Sequence, residues 1–588
     1  MIRKFIISIL LIVIFVGATW SLYQPGLFKL HDSTHAARIS EMKTSLVEGH
    51  FPPRWSANFG YGFGMPLFEF YAPLPYFVGA IFFWLGINIE WSIKLLFIIS
   101  TLVTMIGGLK LGQKLYGSIA GVVVAASLTL APYRAVNLFV RGALSEAWGL
   151  MALPWILYGL LLIAEDRNKK FLSSGWVTLV LSLVVMMLSH NLTTLMFVPF
   201  SLLFIGGYLV IKKGINKQVF TKVIEILGYY LLAIGLSSFY MIPALAEKNF
   251  VKIGKIVSGY FHYSHHFLYI RQFFYANWGY GGSGWGPDDG FSFYLGLGQL
   301  IGFGLAALIG LLILLNHLRL KKIKALLTNK KLMWVSWLVV LMCLALYLSL
   351  LKAKFIWDTL PLISFIQFPF RWITVALIFL GLIDGWAISM LSNKTARYAL
   401  GLGLFLVILL NSAFYKPYYY LTSENEVYFT QPDQIQGLVS NILPDYIPIQ
   451  MSEDIASGYR NDQGIWVAHG TNNPEDVILN KDNNLQYQIL VDRGHQKLVS
   501  VNLSQDTIID FKIANFPGWI VEVDGQKVDH QTAPLGNIQV AVPAGNHLVG
   551  VYFGKTPVRL TADIISALSL LILIFLLKPI NSKSAKKI

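Results

Sequence analysis

Charge is scarce in this sequence: 13% of its 588 residues are Asp, Glu, Lys or Arg, against roughly 25% in a soluble domain. Hydrophobic residues make up 55% and the mean hydropathy is +0.58. That leaves too little polar surface to coat a water-soluble fold, and it calls for a lipid bilayer as solvent. Cysteine is nearly absent. The lone Cys343 lies in an apolar run, so an internal disulfide and a cysteine-built zinc site are excluded. No GxxxxGK[ST] phosphate loop occurs, and no nucleotide cofactor is expected. No clear internal repeat is present.

Long apolar runs dominate what remains. The first spans residues 5–22, after Arg3 and Lys4. It exceeds the roughly 7–15 residues of a signal-peptide core and reads as an uncleaved first span. Further runs lie near 90–112, 117–136, 143–164, 172–189, 192–211, 223–243, 291–316, 332–351, 371–391, 398–414 and 558–578. Together they give about twelve spans.

The basic residues give the direction. They cluster at Arg167, Lys169 and Lys170, then at Lys212, Lys213, Lys217 and Lys222. Arg319, Lys321, Lys322, Lys324, Lys330 and Lys331 follow, then Lys394 and Arg397, and finally Lys583, Lys586 and Lys587. Twelve alternating spans put all of these on one side, which the positive-inside rule makes the cytoplasm. Both termini are then cytoplasmic in a multi-pass plasma-membrane protein. The formal net charge of +15 is mostly topogenic, and no nucleic acid partner is expected. Residues 66–86 are long enough to cross, but they would reverse every later cluster. They also contain Pro66, Pro73, Pro75 and Glu69. They are placed as interfacial or re-entrant helices on the outer face.

The outer face then carries loops at 24–89, 244–290 and 352–370 and a large segment at 415–557. Period-2 patterns in LQYQILV and KLVSVNL, with turn signals at Asp524-Gly525 and Ala544-Gly545, predict an antiparallel β domain there. The domain expectation is a transmembrane domain over 1–414, an extracytoplasmic β-rich domain over 415–557, and a last span with a basic tail over 558–588.

The first outer loop holds the richest chemistry. Ser33 is a candidate cap for a helix over 34–48, with Ala36, Ile39, Met42 or Lys43, and Leu46 on a face that rests on the membrane. Asp32 and His35 are three apart and can face one spot. Asp32 is the candidate general base, a carboxylate that accepts a proton from an attacking hydroxyl; the plainer reading is a helix cap. His31, Asp32 and His35 are also a candidate divalent-metal set. Arg54 suits a phosphate or a lipid headgroup. Glu69, among aromatics, belongs at a wet cavity or the water interface.

Arg134, Arg141 and Glu146 fall in a turn between spans, where charges face a protein interior or a wet cavity; the plainer reading pairs Arg141 with Glu146. His190 sits at another outer turn. His262, His265 and His266 form a loose cluster. Trp278, Trp285, Asp288 and Asp289 suit a sugar or acceptor platform, or a flexible loop with interfacial tryptophans. Arg371 stands at the mouth of a span. Trp519 reads equally as core or as ligand platform.

Several of these stretches carry a resemblance. HDSTHAARI, GHFPPRW…GYGFGMPLFEFYAPLPY, RGALSEAW, LSHN and IQFPFRW resemble bacterial integral membrane proteins labelled 6-pyruvoyl-tetrahydropterin synthase-related, a domain name that does not denote pterin chemistry. NFPGWIVEVDG…VAVPAGNHLVGVYF is similar to the end of YfhO-type membrane proteins, implicated in glycosylating cell-envelope polymers. Both groups resemble the GT-C glycosyltransferases, multi-span enzymes that use polyprenyl-phosphate-linked sugars and carry an acidic catalytic residue in the first outer loop.

The resemblance implies a mainly α, GT-C-like polytopic fold of about twelve transmembrane helices with juxtamembrane helices on the outer face. A C-terminal extracytoplasmic β-sandwich-like domain completes it. It also implies transfer of a sugar from a polyprenyl-phosphate-linked donor to a cell-envelope glycopolymer or glycolipid acceptor, with Asp32 as base. His35, Arg54, Glu69, Arg134, Arg141, Glu146, His190, Trp278, Trp285 and Arg371 are the substrate-binding candidates. The chain departs from the pattern in two ways: no Asp-Glu pair follows the first span, and no WWD motif occurs. The alternative is a non-enzymatic translocator of lipid-linked substrates, or an envelope assembly factor, using the same arginines without a base.

Overall fold

The computed structural model describes residues 2–165, 174–320, 325–326, 328–421, 429–479 and 485–577. Arg167, Lys169, Lys170, Lys321, Lys322, Lys324, Lys583, Lys586 and Lys587, used above for direction, lie outside the described residues. Among those described, ten helices are long and apolar enough to cross a membrane, and the pair Ser118–Thr129 and Pro132–Phe139, bent by 42°, makes up to eleven. The expected twelve included the run at 172–189. Its helix, Ser174–Ser189, has 16 described residues and falls short by length.

The spans sort by burial. Pro369–Ser389 is the central one, with 94% of its apolar window buried. Pro557–Leu577 and Leu297–Arg319 lie at the edge, at 17% and 22%. A helix apolar all round and uncovered by protein needs lipid against it. Close packing relies on glycine where helices cross. A Cβ on Gly112 would stand 2.8 Å from the Cα of Gly121 in the following helix.

The ends of the first two long helices bring the two ends of residues 24–88 together. The first helix, Ile2–Thr19, runs on to Tyr23, whose ring meets Trp91 at the start of Ile89–Tyr116. Lys94 of that second helix donates to the Gln24 carbonyl at 2.5 Å. One span therefore ends where the next begins. Between them lie short helices at His35–Val47, Leu67–Phe70 and Leu74–Trp84, the last with 11 residues and too short to span.

Two details differ from expectation. The helix His35–Val47 has Thr34, not Ser33, at its N-cap, with no side-chain cap bond. Its apolar face is not laid on lipid: Ala36, Ile39 and Met42 are buried in the protein. The reason is Gly79, whose missing side chain lets Ile39 approach; a Cβ there would be 2.8 Å from Ile39 Cδ1.

The strand-rich segment is antiparallel throughout. Its strands are β1 Tyr459–Arg460, β2 Trp466–Val467, β3 Gln486–Arg493, β4 Gln496–Leu503, β5 Thr507–Ala514, β6 Trp519–Val523, β7 Gln526–Val528, β8 Gln531–Thr532, β9 Asn537–Val542 and β10 Gly545–Phe553. They form sheets β3-β4-β10-β6-β7 and β5-β9-β8, with β1 and β2 as a separate pair. The patterned runs are β3 and β4, which pair across a bulge between Ile489 and Val491. Asp524 and Gly525, at φ 52° and 77°, make the tight β6–β7 hairpin. Ala544-Gly545 instead carries the chain between sheets, since β9 and β10 do not pair.

This segment is tied to the first loop. Ala514 N–H donates to Phe63 O at 2.8 Å and Gly494 N–H to Glu48 at 2.7 Å. Trp519 is core: it is buried and packs edge-on to Trp55 at 5.1 Å.

The first loop, the strands and the 247–296 loop gather at one end of the bundle. Lys212, Lys213, Lys217 and Lys222 mark the other end, at the junction of Asn191–Lys213 and Lys217–Ala246. Sidedness is testable in intact cells on a Cys343→Ser background. Gln505→Cys is expected to react with an impermeant maleimide and Gln218→Cys only after permeabilisation; the opposite pattern contradicts the positive-inside assignment.

Candidate functional site

Asp32 is fixed by backbone before its side chain acts. His31 N–H and Asp32 N–H donate to Val140 O and Arg141 O at 3.1 and 3.0 Å. This brings the first loop against the turn 140–143. Gly142, at φ 63°, makes the turn and lets Leu30 close on it. The Asp32 carboxylate then accepts from Arg38 Nη1 at 2.9 and 3.1 Å and from Thr34 Oγ1 at 3.0 Å. Its side chain stays 28% exposed, while that of Arg38 is 3% exposed. Asp32 is thus a partner of Arg38 and not a helix cap.

Arg38 lies 4.1 Å over the Tyr71 ring and donates to Tyr76 Oη at 3.0 Å. His35 Nε2 is 2.7 Å from the Gly142 carbonyl, an acceptor, so Nε2 carries the proton. Nδ1 of neutral His35 then accepts from Tyr76 Oη at 3.2 Å. Burial lowers the His35 pKa, with Asp32 opposing, and keeps the ring neutral. Burial by itself would raise the Asp32 carboxyl; the Arg38 charge and the hydrogen bonds from Arg38 and Thr34 outweigh it and hold Asp32 well below the usual carboxylate range.

A second group adjoins this one through Arg141. Arg141 Nη1 lies 2.9 Å from Glu146 Oε2 and 2.6 Å from Asn137 Oδ1. Arg371 Nε lies 3.3 Å from the same Glu146 oxygen. Two guanidinium groups thus share one carboxylate that is 1% exposed, and positive charge is left over. Phe370 lies under Arg141 at 5.3 Å and meets Phe291 at 5.6 Å. Phe291 in turn lies 6.2 Å from the His31 ring. Arg134 stands apart: with Asn137 it lines a small cavity of about 40 Å³, and it reaches Thr101 Oγ1 at 3.4 Å. His190 caps the helix Asn191–Lys213, accepting from Thr193 N at 3.1 Å, and burial pushes its pKa down to about 3.

Arg54 and Glu69, both substrate-binding candidates, belong to a third group. Arg54 Nη2 is 3.0 Å from Asp563 and Nη1 is 4.0 Å from Glu69. Arg559, fully buried, is 2.9 Å from Glu69 and 2.6 Å from Glu247. These residues join the first loop, the end of Lys217–Ala246 and the start of Pro557–Leu577, so Arg54 braces the fold. Burial, with a hydrogen bond to Glu247, pushes the Glu69 carboxyl up to about 8 against the pull of Arg559 and Arg54.

The metal expectation is corrected. Among the described residues no group of three or more His, Cys, Asp or Glu is gathered to hold an ion. His31 Nε2 is committed to Tyr280 O at 3.0 Å and His35 to Gly142 and Tyr76, so the two rings do not join Asp32. His266 is held by Tyr260 O and by Ser283 Oγ.

Of the expected tryptophan platform, the two acids Asp288 and Asp289 line one cavity. Trp278 stacks on Phe414 at 4.9 Å, and Trp285 is 69% exposed. Asp289 accepts from Gln272 and Gly284 inside its own loop. Asp288 pairs with Arg271 at the rim of a cavity of about 420 Å³, which Tyr275, Asn277, Phe291 and Phe293 also line.

Arg38, Tyr71, Tyr76, Glu247, Arg559 and Asp563 went unread in the sequence. The spacing Asp32, His35, Arg38 was the available signal for the first of them: three polar residues at three-residue steps where the helix begins.

Residues 68–286 match a family described as 6-pyruvoyl-tetrahydropterin synthase related domain; membrane protein. The match meets the resemblance read from the motifs over that segment. A protein of Lactococcus lactis subsp. cremoris (strain MG1363), described as uncharacterized, is 27% identical over 258 residues. That alignment covers 41% of this chain, and the chain spans 40% of that relative's length. Arabinofuranosyltransferase AftD from Mycobacteria superposes with TM-score 0.44 at 14% identity, over 70% of this chain and 26% of its own. ArnT from Cupriavidus metallidurans gives 0.36 at 14%, over 69% and 63%. The oligosaccharyltransferase of Archaeoglobus fulgidus gives 0.40 at 11%, over 71% and 56%.

The third group yields two stability predictions. Arg559→Leu strands Glu247 and is expected to cost about 3–5 kcal/mol in a detergent unfolding assay; a change below 1 kcal/mol contradicts the pairing. Glu69 binds its proton more tightly folded than unfolded, so its contribution is lost as pH rises from about 4.5 to about 8. Glu69→Gln is expected to flatten the fall in unfolding midpoint across that window.

Proposed function

We propose that this protein is a membrane glycosyltransferase of GT-C type, moving a sugar from a polyprenyl-phosphate-linked donor to a cell-envelope acceptor at the extracytoplasmic face. The observation that carries the reading is the excess of positive charge where Arg141 and Arg371 share Glu146, with Asp32 bonded to the Arg141 backbone. A buried carboxylate with two guanidinium partners has room electrostatically for one more anion, and a lipid phosphate supplies it. Guanidinium–phosphate pairs are short and strong.

The chemistry follows from those charges. Arg141 and Arg371 hold the donor phosphate and stabilise the charge that builds on it as the anomeric carbon–oxygen bond breaks. Asp32, ionised throughout, accepts a hydrogen bond from the acceptor hydroxyl and aims its oxygen at the anomeric carbon. Held so far below the usual carboxylate range, Asp32 is a weaker base than the sequence alone suggested. Arg38 and Thr34 fix its direction. Residues 415–557 bound to the first loop form the acceptor side, where a glycopolymer or glycolipid would lie.

The test is transfer from a polyprenyl-phosphate-linked hexose by protein in lipid nanodiscs. Asp32→Asn is expected to lower the rate at least 100-fold when assayed under conditions where the variant stays folded, and Arg371→Leu, which leaves Arg141 on Glu146, to raise the donor KM at a wild-type unfolding midpoint. Flipping of the donor without transfer or hydrolysis would instead establish the translocator reading.

A further inference from the structure

The transferase reading leaves the acceptor's proton without a good destination. Both Asp32 oxygens are engaged by Arg38 and one also by Thr34, so the carboxylate serves as a fixed anion. A second carboxylate, that of Asp445, feels the charge of the same arginine. Asp445 lies in the stretch between the short helical turns Ser440–Ile442 and Glu453–Ser457, ahead of β1. Lys252 N–H donates to Ile447 O at 3.0 Å and Ile449 N–H to Phe250 O at 2.8 Å, which straps this stretch to the 250–255 loop.

The neighbour of Asp445 fixes its place. The Tyr446 ring lies parallel to Phe70, with centroids 5.9 Å apart and 7° between planes, and meets Tyr71 edge-on at 6.2 Å. Tyr71 is the ring that carries the Arg38 guanidinium at 4.1 Å. Asp445 is therefore one residue from a stack of rings ending at Arg38. It is half-buried and, among the described residues, makes no hydrogen bond or ion pair.

We propose that Asp445 is the proton acceptor of the transfer, taking the acceptor hydroxyl's proton while Asp32 remains the orienting anion. This assignment rests on the transferase reading. In the step, the hydroxyl O–H bond breaks and its proton passes to an Asp445 oxygen. The freed oxygen pair forms the new bond to the anomeric carbon. The bond from that carbon to the phosphate oxygen breaks, and its electron pair leaves on the polyprenyl phosphate, facing Arg141 and Arg371. No oxidant, reductant or further reactant is needed.

The electrostatics of the two carboxyls fit this division. Burial raises Asp445 to about 6, with Arg38 and Lys255 pulling the other way. Lys255 is itself shared with Glu453 at 3.4 Å, and burial, with the Asp445 charge adding to it, raises the Tyr446 hydroxyl. A base near the working pH combines availability with strength, and two carboxyls pushed apart by their surroundings take separate roles.

The experiment uses the full chain in nanodiscs with a polyprenyl-phosphate-linked glucose as donor and a methyl hexoside as acceptor. In parallel, carbodiimide modification is mapped by mass spectrometry against pH. The expected result is a wild-type rate that falls below about pH 6 and an Asp445→Asn variant about 100-fold slower without that limb. Its donor KM and unfolding midpoint stay at wild-type values, and carbodiimide modifies Asp445 below about pH 6 but leaves Asp32 untouched. Asp445→Asn with the wild-type rate and acid limb overturns the assignment while sparing the transferase reading. Asp445 unmodified at pH 5 also overturns it, whatever the rate. No transfer by the wild type, with Asp445 modified as expected, sinks the transferase reading, and this role with it.

Discussion

Charges held away from water at the end of a helical bundle have to be neutralised by one another, and that constraint organises this protein. Isolated, each would cost several kcal/mol even after relaxation. Asp32 is answered by Arg38, and Glu247 by Arg559. Glu146 is answered twice, by Arg141 and Arg371. Arg371 reaches Glu146, and Arg559 reaches Glu247, from distant parts of the chain. The pairing needed to bury the charge therefore also fixes loops against spans. In the Glu146 group two cations share one carboxylate, and that group adjoins Asp32, whose side chain is 28% exposed. Structure and proposed chemistry meet at that imbalance.

The bracing role of the third group explains a second feature. Residues 415–557 follow most of the spans, yet they pack on the loop that follows the first. Arg559 is where this arrangement closes: its guanidinium lies 5.2 Å over Phe516 and 4.7 Å over Phe553 while pairing with Glu69 and Glu247. The strand-rich segment, the first loop and the edge helix Pro557–Leu577 thus share one buried cation. A rigid connection of this kind is what a base delivered from Asp445 to a site built on residues 32–76 would need.

Much of the architecture was legible because bilayer helices announce themselves by length and composition. Charge parity and three prolines predict that 66–86 does not cross, and the ring contact of Tyr23 with Trp91 brings the two ends of that loop together. The period-2 runs marked β3 and β4 for the same reason, a sheet with one covered face. The site was legible only in part. Asp32, Arg141, Glu146 and Arg371 stood out as charges beside apolar runs, but Arg54 did as well, and it lies in a different group. Sequence shows which charges are buried and not which partner each finds, because the partners lie hundreds of residues apart: Arg54 with Asp563, Glu69 with Arg559. Arg38 escaped notice because its guanidinium is hidden between tyrosines that come thirty and more residues later.

The most direct measurement is a cryo-electron microscopy map of the protein in nanodiscs containing a polyprenyl phosphate. The account predicts phosphate density between Arg141 and Arg371, within reach of the Asp32 carboxylate. Phosphate seated at Arg54 and Arg559 instead, or a map with Arg141 and Arg371 closed on Glu146 and no lipid headgroup between them at saturating ligand, would contradict it.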